Sequence, residues 1–197
     1  MKDADALNLV REQFRESSRV LSAVGSEQAE VVVRAAALVE ASLRAGGTFF
    51  TCGNGGSAAD AQHIAAELSG RFYINRPGLA AVALSVNTSA LTAIGNDFAY
   101  DEVFSRQMEG IGKAGDVLLG ISTSGGSKNV LAAVAKAREI GMRVIGFTGA
   151  RGGSFAKLCD EALIVPSDNV ARIQESHICA GHLICQLVEH AIFGGEA

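Results

Sequence analysis

Tryptophan is absent from the 197 residues, proline occurs twice, and charged side chains make up 19% of the chain, below the roughly 25% usual for globular proteins. Positive charge is in short supply too. Seventeen Lys and Arg against 21 Asp and Glu leave a formal net charge of -4, which offers no basic footprint for DNA or RNA. Cys52, Cys159, Cys179 and Cys185 form no CxxC pair and no regular framework, which excludes a disulfide scaffold and fits a reduced, cytoplasmic setting. No run approaches the ~18 apolar residues that cross a bilayer, and no signal-peptide pattern opens the chain, so a soluble protein without a membrane partner is expected. No linker, charge run or low-complexity block divides the sequence, and one domain over residues 1–197 follows.

What the chain has in plenty is apolar residues, 48%, and glycine, 23 positions. The first is enough for one sizeable core, and the second supplies tight strand-to-helix turns and close backbone approach to a ligand. Residues 3–45 carry two helical patterns split at Gly25–Ser26, with Ser26 as a candidate N-cap and Gly46–Gly47 as the stop. From residue 47 the pattern becomes strand, glycine-rich turn, helix. Thr48–Cys52 leads into Gly53-Asn54-Gly55-Gly56-Ser57 and a helix from Ala58, and Asp116–Ile121 leads into Ser122-Thr123-Ser124-Gly125-Gly126-Ser127 and a helix from Asn129. Further strands are expected at Ala80–Leu84, Arg143–Thr148 and Glu161–Val165, helices near Thr88–Ile94 and Asp101–Glu109, and a long final helix over 170–192. This alternation predicts an α/β fold, a doubly wound parallel sheet flanked by helices, with the two N-terminal helices packed on it or on a neighbouring subunit.

In such a sheet ligands bind at the carboxyl ends of the strands. Neither glycine-rich turn has the GxGxxG spacing and no GxxxxGK[ST] loop exists, which argues against nicotinamide and nucleoside triphosphate cofactors. Ser122, Thr123, Ser124 and Ser127 put four hydroxyls just before a helix, a setting that suits a phosphate monoester. Ser57 can join such a site or serve as a cap with Asp60 as partner. His63 and Glu67 stand at i and i+4 on the helix after the first turn and can meet at one substrate atom or one metal ion. On the final helix His182 is surrounded by Ala180, Gly181, Leu183 and Ile184, as either a core or a functional histidine.

Cys52-Gly53-Asn54-Gly55-Gly56-Ser57, Ala61-Gln62-His63-Ile64-Ala65-Ala66-Glu67-Leu68, Gly95-Asn96-Asp97-Phe98, Gly120-Ile121-Ser122-Thr123-Ser124-Gly125 and Arg172-Ile173-Gln174-Glu175, in that order and spacing, resemble the sugar isomerase (SIS) domain family, and within it the members that act on phosphorylated heptoses. The resemblance implies conversion of sedoheptulose 7-phosphate to D-glycero-D-manno-heptose 7-phosphate, a step toward bacterial surface glycans, by a cytoplasmic homotetramer with sites between subunits. It also implies zinc, one per subunit, on His63, Glu67, Gln174 and His182. Sugar-phosphate contacts are implied at Asn54, Gly55, Gly56, Asn96, Asp97, Ser122, Thr123, Ser124, Ser127 and Gln174. Moving a carbonyl between C2 and C1 needs a carbon-proton base and a group that handles oxygen protons, roles that fall to Glu67 and His182. On one unbroken helix, however, Gln174 and His182 lie ~12 Å apart along the axis, too far to share one ion. Either Gln174 precedes the helix or a neighbouring subunit supplies one of them. The rival reading is a non-catalytic SIS-type regulator that binds the replication initiator protein, against which Glu67 and His182 together argue for an enzyme. A hexose or pentose phosphate isomerase of the same family is a further rival.

Overall fold

The computed structural model of the chain describes residues 3–194. Five parallel strands, β1 (Phe49–Gly53), β2 (Ala81–Ala83), β3 (Val117–Ile121), β4 (Arg143–Gly149) and β5 (Glu161–Val165), form one sheet of order β2-β1-β3-β4-β5. Alternate strand residues supply two cores. Phe49, Val117, Leu119, Ile121, Ile145, Phe147, Leu163 and Val165 pack against α1 (Asp3–Glu27), α2 (Ala29–Arg44), α3 (Gly56–Ser69) and α8 (Val170–Phe193). Phe50, Cys52, Leu118 and Val144 face the other way onto α5 (Ser105–Ile111), α6 (Lys128–Ile140) and the short α7 (Gly153–Ala156), while α4 (Thr88–Asp97) follows β2. Strands buried on both sides explain the continuous apolar runs, so the doubly wound α/β expectation is borne out.

Three local expectations are corrected. The first helix does not stop at Gly25–Ser26; it runs to Glu27, and the Ser26 hydroxyl donates back to Ser22 O and Ala23 O instead of capping α2. Burial of Val20 and Val24 carries the helix through its glycine, a residue that costs only ~1 kcal/mol in a helix interior. Second, α3 begins at Gly56 with Ser57 buried inside its first turn, so no Ser57–Asp60 capping box forms. Third, the helix expected over Asp101–Glu109 divides into a 3-10 turn at Tyr100–Glu102 and α5.

The Arg172-Ile173-Gln174-Glu175 segment is partly a joint between helices. Arg172 donates to Gln13 O at 2.7 Å and to Glu175 at 2.5 Å, and Ser17 donates to the other Glu175 oxygen at 2.7 Å, which ties α1 to α8. One turn further, His177 is the core histidine of α8. It is fully buried; its Nε2–H donates to Thr148 O at 3.3 Å, and its Nδ1 has no partner among the described residues. Burial pushes its pKa down to about 4, with the Thr148 contact opposing. A ring kept neutral in the folded protein contributes stability that is complete above the ordinary value of 6.5 and is lost as pH falls from there toward about 4, because the unfolded chain takes up the proton first. That loss amounts to ~3 kcal/mol. Thermal unfolding followed from pH 7 to pH 4 is expected to steepen over this window, and His177→Gln to flatten it; parallel curves for the two proteins would contradict the assignment.

Candidate active site

β1 and β3 are paired in register, Gly53 opposite Ile121, so the two glycine-rich turns leave neighbouring strand ends. The chain proceeds from β1 to β2 on one side and to β3 on the other, which makes this the topological switch point where such sheets bind ligands. Gly55 has φ +56°, a conformation for glycine, and acts as the N-cap of α3. Asn54 does not hang free beside it. Its amide exchanges two 2.8 Å hydrogen bonds with the amide of Asn129, and its oxygen accepts a third, at 3.1 Å, from Tyr100 Oη. Neither Asn129 nor Tyr100 stood out in the sequence, although an asparagine just inside the helix after a serine-rich turn was a usable signal.

In the second turn Ser122 Oγ donates to Ser127 Oγ at 3.0 Å, Gly126 N donates to Ser124 Oγ at 3.1 Å and Gly125 N donates to Ser122 O. Ser127 is the N-cap of the 13-residue α6 and makes no side-chain cap bond. The positive end of the helix dipole and its hydroxyls thus stand together, an arrangement that favours an anion. Asn96 and Asp97 lie exposed at the end of α4, hydrogen-bonded to one another at 2.8 Å, with Tyr100 linking their segment to Asn54.

The titratable cluster lies further along α3. His63 Nε2 is 2.9 Å from Glu67 Oε1 and 3.1 Å from His182 Nε2. One donor atom from each of the three lies within 4.8 Å of the others. The close approach of α3 and α8 depends on Gly181, where a Cβ would stand 2.4 Å from Ile64 Cδ1. Phe72 stacks on the His182 ring, with centroids 5.6 Å apart and planes at 22°. Beside His63, burial raises the pKa of Asp60 while the histidine partly offsets the rise, and Asp60 Oδ2 is buried without a partner among the described residues.

Gln174 does not share this cluster within one protomer. α8 is unbroken from Val170 to Phe193, and the Gln174 amide rests on Gly56, at the other end of α3. The alternative that Gln174 precedes the regular helix is therefore excluded.

Two histidine nitrogens and a carboxylate oxygen make a donor set typical of catalytic zinc. His63 Nε2 faces both Glu67 Oε1 and His182 Nε2 although it has a single hydrogen or lone pair to offer, and a cation among the three atoms would satisfy all of them. Residues 12–149 match the model of the SIS domain family. The chain is 50% identical over 192 residues to the phosphoheptose isomerase of Burkholderia pseudomallei, covering 96% of this chain and 98% of that protein. It superposes on the phosphoheptose isomerase of Neisseria gonorrhoeae with a TM-score of 0.88 and 48% identity, over 93% of this chain and 98% of that one. For the Francisella tularensis phosphoheptose isomerase the TM-score is 0.90 at 34% identity, over 94% and 98%. A three-residue cluster at the α3–α8 seam, two polar turns at the switch point and these full-length similarities agree: the chain belongs to the SIS domain family and, within it, to the phosphoheptose isomerases.

Proposed function

We propose that the chain is an aldose–ketose isomerase that converts sedoheptulose 7-phosphate to D-glycero-D-manno-heptose 7-phosphate. The observation that carries this reading is the convergence of Glu67, His63 and His182 in a fold whose serine-rich turn offers a phosphate seat. Glu67 removes the proton from C1 of the ketose, the substrate passes through an enediol, and a proton is returned at C2; His182 moves protons at the two oxygens. Glu67 meets His63 through Oε1, which leaves Oε2 for the carbon-bound proton, so ligation and base chemistry do not exclude one another. His63, Glu67 and His182 would hold one zinc ion, which when bound polarises the sugar carbonyl as a Lewis acid. Ser122, Thr123, Ser124 and Ser127 hold the phosphate, and Asn54, Gly55, Gly56, Asn96 and Asp97 face the sugar, with Ser57 buried behind them in the first turn of α3. A noncatalytic regulator of replication initiation has no use for the Glu67–His182 arrangement.

The active unit is a homotetramer in the cytoplasm. Along α3, Gly56 and Glu67 are eleven residues or ~16 Å apart, whereas six carbon–carbon bonds put at most ~9 Å between C1 and C7 of the substrate. A neighbouring copy that brings its own cluster to this turn removes the mismatch, and Gln174 of the partner subunit can then complete the zinc ligands. Apolar side chains are exposed where such a copy would pack: Phe14 is 75% exposed and Val10 51%, and a groove of about 620 Å³ lined by Val32, Val33, Leu183 and Leu187 runs between α2 and α8.

Turnover of sedoheptulose 7-phosphate, followed by NMR beside fructose 6-phosphate, tests the reading; preference for the hexose would overturn the substrate. Protein purified without chelator is expected to carry about one zinc per chain and to lose turnover on chelation and regain it with zinc. Undiminished activity in metal-free protein would remove the ion from the scheme.

A further inference from the structure

Below the proposed catalytic cluster lies a buried ion pair that its chemistry does not use. The side chains of Arg76 and Glu189 are each 1% exposed, with Nε to Oε1 at 2.8 Å. Glu189 accepts three backbone N–H groups in succession, Phe72 at 3.0 Å, Tyr73 at 2.7 Å and Ile74 at 3.0 Å. Burial alone would raise the Glu189 carboxyl, but these bonds and Arg76 outweigh it and hold its pKa below the ordinary range, so the group is an anion. Arg76 spends its remaining donors on the last carbonyls of α3, Glu67 O at 3.0 Å and Leu68 O at 2.8 Å, and on Gly70 O and Pro77 O. Its guanidinium is covered by Phe193, 5.6 Å from the ring centroid.

Two of these contacts lead to the proposed catalytic side chains. The turn held by Glu189 presents Phe72, whose ring stacks on His182, and Arg76 grips the backbone of Glu67 itself. We propose that Arg76 and Glu189 are positioning residues that set the Glu67 carboxylate and the His182 imidazole relative to one another, with Phe72 as the transmitting side chain. Capping the last carbonyls of α3 would account for the Arg76 bonds, but not for a turn that sets the Phe72 ring against His182. The inference rests on the isomerase reading for its effect on rate, though not for its effect on His182 geometry.

Phe72→Leu and Arg76→Lys are the informative variants. Leucine keeps apolar bulk at a half-buried site and removes the stacked ring, and lysine keeps the charge opposite Glu189 and loses the fork that reaches Glu67 O. Both are expected to lower kcat by about 10- to 100-fold, the cost of misplacing reacting groups. KM is expected to stay within about twofold, because the phosphate seat is untouched. The ring-proton NMR signals of His182 are expected to shift in Arg76→Lys, where the Phe72 ring is kept and a shift reports displacement of one ring against the other. Wild-type kcat in Phe72→Leu would overturn the proposal whatever happens to the melting temperature, as would unmoved His182 signals in a folded Arg76→Lys, and Phe72→Leu decides alone if Arg76→Lys does not fold. Should the wild type fail to turn over the heptulose phosphate, the isomerase reading falls, while the His182 signals still judge the positioning role.

Discussion

Glu67→Gln is expected to reduce turnover of sedoheptulose 7-phosphate by ~10²–10⁴-fold, the range that one general base contributes. The substitution is nearly isosteric. A glutamine oxygen can still accept the 2.9 Å hydrogen bond from His63 Nε2, so the packing of α3 on α8 is preserved, while the ability to take up a proton and the negative charge offered to the proposed zinc ion both disappear. The side chain is 24% exposed, and a change there shifts stability by no more than ~0.5 kcal/mol. His182→Ala is expected to cost as much in rate, with KM little changed in either variant because neither residue belongs to the serine-rich turn. Steady-state kinetics beside thermal melts separate the outcomes. A variant that melts like the wild type and retains full kcat would remove its residue from the mechanism.

Gly125→Ala is expected to disable the proposed phosphate seat from the backbone. Gly125 has φ +68°, where a Cβ costs ~1–2 kcal/mol, and that Cβ would stand 2.7 Å from Gly152 Cα and 3.1 Å from Phe155 Cβ. Gly152 cannot retreat, since it is itself pressed against the side chain of Thr148. Overpacking of this kind costs a further ~1–3 kcal/mol, for a total of ~2–5 kcal/mol. At this chain length that corresponds to a melting temperature lower by about 4–20 °C. Either the Ser122–Ser127 turn shifts and KM for the sugar phosphate rises at least ~10-fold, or the chain unfolds at assay temperature. Gly126→Ala is the control, because its Cβ meets only Ser124 Oγ at 3.6 Å and its φ is not positive. Equal behaviour of the two variants would contradict the backbone account.

The zinc and substrate proposals draw unequally on local and long-range order. His63 and Glu67 could be paired from sequence because i and i+4 meet on any helix, whatever surrounds it. The serine-rich turn was legible for a similar reason: hydroxyls, glycines and a following helical pattern sit within six residues. The split at Gly25–Ser26 is overridden because a glycine weighs against a helix locally, while the burial of Val20 and Val24 that outweighs it comes from α8 and α2. His182 was ambiguous between core and site for the same reason. Its apolar neighbours belong to the seam that Gly181 opens toward Ile64, and the true core histidine, His177, lies five residues before it.

By itself the sequence determined the alternation of strand and helix, the two turns at strand ends and the spacing of residues along each helix, all of which follow from backbone periodicity over a few residues. Only the tertiary structure decided what meets what: Asn54 with Asn129 across 75 positions, Tyr100 with Asn54 across 46, Arg76 with Glu189 across 113, and His182 with His63 across 119. It also decided that Gln174 and His182 stand at opposite ends of the same seam. The physical reason is that such contacts have no local signal. They form when the apolar faces of α3 and α8 close on the sheet, and buried polar groups caught between those faces must then find partners wherever the chain brings them.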